Sequence, residues 1–281
     1  MELPRAMRQA LRYHYPEYLI EAVCLGIFLV MASVVTTVLE HPASPLHLAI
    51  AHPVLRRMLI GLGMGGTAIA LIYSPWGQQS GAHLNPVVTL TFWRLGKVKR
   101  LDAVFYILAQ FIGAIIGAVL AAQMLGAAIA HPNVNYIVTV PGTGGNGIAF
   151  IAEIVISFGL MLMVLVTSNH PVWARFTGLL AGGLITLYIT VEAPLSGMSM
   201  NPARTLASGF TAQDWTAMWI YFIAPLLGML VAAEVFVHWQ GRAAVLCAKL
   251  HHHNRKRCIF NCGYRQLPTR NGSQQLSDRL L

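Results

Sequence analysis

The sequence predicts an all-α membrane protein in which six transmembrane helices and two half-helices form two inverted repeats. Three observations predict it. The 281 residues are 56% hydrophobic and only 10% charged, against about 25% charged in soluble domains, and several apolar runs reach the roughly 20 residues that a helix needs to cross a bilayer core. A polar turn occurs twice in these apolar surroundings, as Ser80-Gly81-Ala82-His83-Leu84-Asn85-Pro86-Val87-Val88-Thr89-Leu90 and, 116 positions later, as Ser196-Gly197-Met198-Ser199-Met200-Asn201-Pro202-Ala203-Arg204-Thr205-Leu206. The copies share Ser-Gly, Asn-Pro and Thr-Leu in step, which marks an internal repeat. Finally, the formal charge of +9 is gathered in the termini and two loops, as in the cytoplasmic segments of a membrane protein, so no nucleic-acid partner is expected.

Taken in order, residues 1–16 form a basic cytoplasmic segment with Arg5, Arg8 and Arg12. The apolar run Tyr18–Leu39 is too long for a signal-peptide core and lacks a convincing cleavage site, so it is the first span. An uncharged outer loop, His41–Pro53, leads to the second span at about Leu55–Tyr73, then to the first Asn-Pro and a half-helix Pro86–Phe92. Arg94, Lys97, Lys99 and Arg100 return the chain to the cytoplasm, and a third span follows at about Ala103–Ala128. The uncharged stretch 131–147, rich in Gly, Pro and Asn, links the first repeat (17–130) to the second (148–240). Spans at about Ile148–Thr167 and Phe176–Val191, a half-helix Pro202–Phe210 and a span at about Trp215–Trp239 complete it, leaving 241–281 as a basic, disordered cytoplasmic tail.

Of the 19 Lys and Arg, this topology leaves three outside (Arg56, Arg57 and Arg204) and 16 inside, which places both termini in the cytoplasm; the short linker and the lack of a targeting signal lead to the expectation of a plasma membrane. Three spans per repeat mean that the repeats enter the membrane from opposite sides, an arrangement in which broken helices meet near the midplane. Gly61-x3-Gly65, Gly113-x3-Gly117 and Gly178-x3-Gly182 supply small faces for close helix contact.

Each Asn-Pro opens a half-helix, because Asn is a good N-cap and Pro a good first helical residue. The first backbone N–H groups of such a helix lack internal partners, and lipid cannot satisfy non-helical backbone, so both loops must face protein or a water-filled cavity. Two helix N-termini of partial charge roughly +0.5 aimed at one point oppose cations there. The Asn85 and Asn201 amides can accept capping bonds and still donate to a passing oxygen. Glu21 and Glu153, one in the first helix of each repeat, are carboxylates at a costly depth and therefore functional candidates.

The two Asn-Pro-Ala-like motifs, with Ser-Gly-Ala-His before the first and Arg after the second, resemble the aquaporin (major intrinsic protein) family over roughly Glu17–Trp239. The resemblance implies a passive channel for water or small uncharged solutes that excludes protons and ions. It also implies a homotetramer with one pore per protomer, neither an enzyme nor dependent on a cofactor. Asn85, Pro86, Val87, Asn201, Pro202 and Ala203 would form the pore motif, and Glu21, Glu153 and His83 would brace its loops. Arg204, as the only cation lining the pore, would sit in the outer constriction with Met198, Ile189 and either Met64 or Gly65.

Departures from the family pattern leave the solute open. A His in the fifth helix and an aromatic in the second, expected of strict water channels, are replaced here by apolar side chains, which favours glycerol, ammonia, urea or an undissociated metalloid acid. Thr205, where glycerol channels carry Asp, and Tyr221-Phe222 favour water instead. Val87 stands where the first motif ordinarily has Ala, and its extra methyl groups are expected at the midplane seam.

Two rivals are a coupled secondary transporter, which would need further ionisable groups at the midplane, and a structural junction protein, which would need extended polar outer loops. In the tail, His251-His252-His253 with Cys258 and Cys262 has the composition of a metal cluster. C-x3-C is a weak zinc spacing, so Cys24, Cys247, Cys258 and Cys262 are read as free thiols, no metal is assigned, and the basic tail is read as attracting anionic lipid. Asn271-Gly272-Ser273 matches a glycosylation sequon on the wrong side of the membrane for modification.

Overall fold

A computed structural model describes residues 4–266 of the chain; the sequon at Asn271 lies outside them. Eleven α-helices are found among these residues: α1 Arg5–Glu40, α2 Pro45–Ala49, α3 Pro53–Tyr73, α4 Pro75–Ser80, α5 Pro86–Arg94, α6 Arg100–Leu125, α7 Gly145–Ser168, α8 Thr177–Val191, α9 Ala193–Ser196, α10 Pro202–Ala212 and α11 Met218–Gln240. Six spans are long and apolar enough to cross a bilayer: α1, α3, α6, α7, α8 together with the 3-10 turn Trp173–Phe176 before it, and α11. The half-helices α5 and α10 begin at the two Asn-Pro steps. The fold class and the order of long elements therefore agree with the sequence reading.

The pairing obeys the repeat. Helix α1 packs most extensively on α6, α7 on α11, and α3 on α8 across the boundary between repeats. Small residues make the approach possible: a Cβ at Gly113 would stand 2.1 Å from the Ala22 carbonyl oxygen, and one at Gly117 2.4 Å from that of Gly26. Backbones this close gain dispersion contacts and weak Cα–H···O bonds in surroundings where lipid provides no hydrophobic drive. The outward faces invert the usual pattern of a soluble protein. Val104, Leu108, Ile112, Ile116, Leu120 and Met124 form an exposed stripe at four-residue spacing on α6, and Trp219, Ile223, Leu227, Val231, Val235 and Trp239 form another on α11. Every Trp of the chain is at least partly exposed near the end of a long helix or half-helix, where an amphipathic ring meets the membrane interface.

Three local expectations are corrected. The segment expected to lie outside the first span is helical from Arg5, because Pro16 removes only one backbone hydrogen bond and Tyr18 and His14 both anchor on Asp102 of α6, at 2.6 and 2.8 Å. The short helices α2, α4 and α9 each start at or next to a proline, a signal read on the sequence only as loop. The third correction is the largest. Within the segment 241–281, expected to be disordered, the described part Gly241–Gln266 has little regular structure but folds back over the bundle and buries Val245, Cys247, Ala248, Lys249, Leu250, Phe260 and Cys262.

Replacing Gly117 by Val should separate α1 from α6 and destabilise the protein by about 1–3 kcal/mol or more. Gly66→Ala, where a Cβ meets nothing within 4 Å, should leave it unchanged. Thermal unfolding of the detergent-solubilised protein checks both.

Candidate functional site

The two re-entrant loops are strained in the same way. Gly81, Ala82 and Leu84 have φ of 98°, 55° and 48°, and their counterparts Gly197, Met198 and Met200 have 80°, 50° and 54°. A non-glycine residue in this left-handed region costs about 1–3 kcal/mol and persists only where its surroundings enforce it. A buried carboxylate does so in each repeat. Glu21 of α1 accepts from the Ser80 hydroxyl (2.7 Å), the N–H groups of His83 (3.1 Å) and Leu84 (2.7 Å), and the Gln110 amide (2.8 Å). Glu153 of α7 accepts from the Ser196 hydroxyl (2.8 Å) and the N–H groups of Ser199 (2.7 Å) and Met200 (2.8 Å). Alternating left-handed residues turn successive N–H groups toward one point, and the carboxylate occupies that point.

Asn85 and Asn201 then cap the half-helices. The Asn85 side-chain oxygen accepts from the Val87 N–H at 2.9 Å, and that of Asn201 from Ala203 and Arg204 at 3.1 and 3.3 Å. Their amide nitrogens cross between repeats: Asn85 donates to the Met200 carbonyl and Asn201 to the Leu84 carbonyl, each at 2.7 Å. One N–H of each amide is thereby fixed, and the second remains for the cavity that both residues line.

That cavity has a volume of about 310 Å³. It runs from Thr36 and Arg57, past Arg204, Ile189, Met198 and Met64, between the two Asn side chains, to Ile72, Val164 and Leu250. Of the two candidates on α3, Met64 lines it. Gly65 does not, because it is pressed against α8, where a Cβ would stand 2.4 Å from the Gly182 carbonyl oxygen. Val87 is buried in the apolar core at the start of its half-helix, and its neighbour Val88 lines the cavity. Pro86, Pro202 and Ala203 are buried at the half-helix starts. Arg204 lines the cavity with Nη1 3.4 Å from the Ser208 hydroxyl, whereas Asp214 binds the Thr216 N–H. It is not the only cation there, since Arg57, donating to the Thr190 carbonyl at 3.4 Å, also lines the cavity.

His83 does more than brace its own loop. Its Nδ1 lies 3.0 Å from the Thr89 hydroxyl, while Nε2 donates to the Ala248 carbonyl of the tail at 2.8 Å, so a neutral ring accepts from Thr89. The tail was the part least legible in the sequence. Leu250 N–H donates to the Gly81 carbonyl at 3.1 Å, and the Lys249 ammonium donates to the carbonyls of Gln78 (2.7 Å) and Arg257 (2.8 Å). Burial holds that ammonium below the usual lysine range. Arg257 pairs with the fully buried Glu17 of α1, and Phe260 stacks on His83 with ring centres 5.3 Å apart. The hydrogen bond from the Cys247 thiol, helped by His252, holds the Cys258 thiol below the usual cysteine range. The sequence reading missed Tyr106 and gave Tyr221 only a bearing on the solute; their hydroxyls donate to the Ser80 and Ser196 carbonyls at 2.7 and 2.6 Å. Their spacing of 115, close to that of the Asn-Pro motifs, was the available signal.

The sequence model of the family described as "Major intrinsic protein" matches residues 12–236. The chain belongs to this family. Among plant relatives, it is 35% identical over 173 residues to a "Probable aquaporin NIP-type" of Nicotiana alata, covering 61% of this chain and 62% of that protein. It is 36% identical over 172 residues to "Aquaporin NIP6-1" of Arabidopsis thaliana, covering 61% and 54%. The chain thus spans about three-fifths or less of the length of these relatives. The fold is similar to the X-ray structure of the aquaglyceroporin from Plasmodium falciparum, with a TM-score of 0.65, 20% identity, and 79% of this chain and 95% of that chain covered. As a major intrinsic protein the chain is a multi-pass membrane protein, and its paired Asn-Pro half-helices lie on the residues read from the repeat.

Glu153→Gln replaces one acceptor oxygen by an NH2 group facing backbone donors. It should destabilise the protein by about 1–3 kcal/mol, measured as a lower unfolding temperature, while Glu234→Gln, at a half-exposed position paired with Arg94, should change it little.

Proposed function

We propose that the cavity is the pore of a passive channel for water and small uncharged solutes, operating without a covalent step or catalytic cofactor. One observation carries the reading: two half-helix N-termini, each with an Asn amide that keeps a free N–H, meet within one continuous cavity. A water molecule arriving there meets donors from both sides and turns its oxygen toward them, which interrupts a proton-conducting chain. Arg204 and Arg57 add positive charge at the outer end and oppose cations.

The wall of Met64, Ile189, Met198, Ile72 and Val164 offers few hydrogen bonds. A solute with its own apolar carbon, such as glycerol, therefore loses little relative to water, and the aquaporin names of the plant relatives are consistent with a range of small uncharged solutes. A coupled transporter is disfavoured by the carboxylates themselves. Glu21 and Glu153 are engaged by backbone and side-chain donors and do not line the cavity, so neither is placed to carry a proton or sodium ion through it.

In this reading the side bearing the termini faces the cytoplasm of a plasma membrane, with its excess of Lys and Arg toward anionic lipid. The exposed stripes on α6 and α11 contact lipid and neighbouring copies in a homotetramer.

Stopped-flow light scattering of proteoliposomes tests the proposal. Shrinkage faster than in empty vesicles under a sucrose gradient, and re-swelling under a glycerol gradient, are expected. Arg204→Val should widen the solute range and raise proton leak. Permeability equal to that of empty vesicles in every gradient, before and after treatment with a metal chelator and in Leu250→Ala, would refute the channel.

A further inference from the structure

The strap Gly241–Gln266 holds a fixed shape with only two short 3-10 turns, at Arg242–Ala244 and Gly263–Gln266. A segment so short of secondary structure lacks a core of its own, and chains of this kind are ordinarily held by a staple such as a disulfide or a structural metal. Four side chains converge at its centre. The Sγ atoms of Cys247, Cys258 and Cys262 and a ring nitrogen of His252 all lie within 4.8 Å of one another. Cys247 and Cys258 sulfurs are 3.5 Å apart, and the Cys262 sulfur is 3.1 Å from His252 Nε2. A tetrahedral zinc site with Zn–S bonds of about 2.3 Å places its sulfurs about 3.8 Å apart, so the observed separations bracket the required edge.

The sequence reading assigned no metal because Cys258-x3-Cys262 alone is a weak pattern. The fold supplies the two missing ligands from across the strap, giving the order Cys-x4-His-x5-Cys-x3-Cys. The surroundings fix the set. Tyr264 stacks on His252 with ring centres 4.4 Å apart and donates its hydroxyl to the Ser168 carbonyl at 2.8 Å, which orients the imidazole. The Lys249 ammonium, beside the thiols and 2% exposed, supplies positive charge next to three sulfurs that bind metal as thiolates. Cys24, the fourth cysteine, is buried in α1 and is not one of the four.

The cluster sits within a few residues of the cavity. Ala248 carries the carbonyl that His83 contacts, and Leu250 lines the cavity at the tail side; both lie between the ligands Cys247 and His252. We propose that Cys247, His252, Cys258 and Cys262 bind one zinc-class divalent ion in tetrahedral geometry, and that this knot locks the tail across the tail-side mouth of the pore with Leu250 as the stopper. The metal half stands on the cluster alone; the closure half rests on the channel reading given above.

The test uses the full chain, purified in detergent with reductant and dialysed into metal-free buffer. Elemental analysis should find about one zinc per chain, retained in Cys24→Ser and lost in the Cys258→Ser/Cys262→Ser pair. Loading the metal-stripped protein with Co2+ should give the visible bands and thiolate charge transfer of tetrahedral cobalt. Sub-stoichiometric zinc without those bands, or a Cys247–Cys258 disulfide that survives reductant, overturns the metal site. In proteoliposomes, stripping zinc with a chelator should raise water permeability several-fold, and Leu250→Ala should do so with its zinc still bound. Permeability of the zinc-bound and stripped forms that is equal and above the lipid background overturns the closure. Zinc at one per chain with background permeability in every form, Leu250→Ala included, overturns the channel reading and the closure with it, and leaves the metal site standing.

Discussion

Two buried carboxylates decide this architecture. A loop that enters a membrane and stops must dispose of its backbone N–H groups where lipid can accept none of them. Glu21 and Glu153 each gather two consecutive N–H groups and a serine hydroxyl, and this lets Leu84 and Met200 hold left-handed conformations that would otherwise relax. Once the loops are pinned, the Asn-Pro steps that follow have no freedom in where their half-helices start or point. The cavity is the space left between two loops that have been fixed from behind.

The electrostatics follow from the same placement. The carboxylates lie behind the loops and the amides in front, so negative charge is kept out of the cavity while the positive ends of two half-helices and Arg57 and Arg204 face it. An acid on the cavity wall at the same depth would have created a cation site. The fold thus places charge of one sign behind the loops as a structural acceptor and of the other sign on the cavity wall, and keeps the two apart by a single layer of backbone.

What the sequence disclosed was what the repeat duplicated. Asn85 and Asn201, Glu21 and Glu153, and the order of spans could all be read because each feature appears once in each repeat. Tyr106 and Tyr221 also appear twice but as ordinary aromatic residues within apolar runs, and nothing local sets them apart from packing. The choice between Met64 and Gly65 depended on the rotation of α3 against α8, which is settled by Gly61 and Gly65 meeting Gly182 and Thr186, and periodicity alone does not resolve one residue. The tail belongs to neither repeat. Its hydrogen bonds run to Gln78, Gly81, Lys97 and Ser168, far away in the chain, so a basic, Cys- and His-bearing stretch looked like a solvated appendage.

The crossed Asn bonds have a consequence for how the molecule is built. Leu84 is made early in synthesis, but the side chain that serves its carbonyl is Asn201, 117 residues further on. Asn85 waits in the same way for Met200. The first repeat by itself therefore lacks a partner for the Leu84 carbonyl and for the Asn85 amide, and the two half-helices complete each other's hydrogen bonds only when both repeats are present.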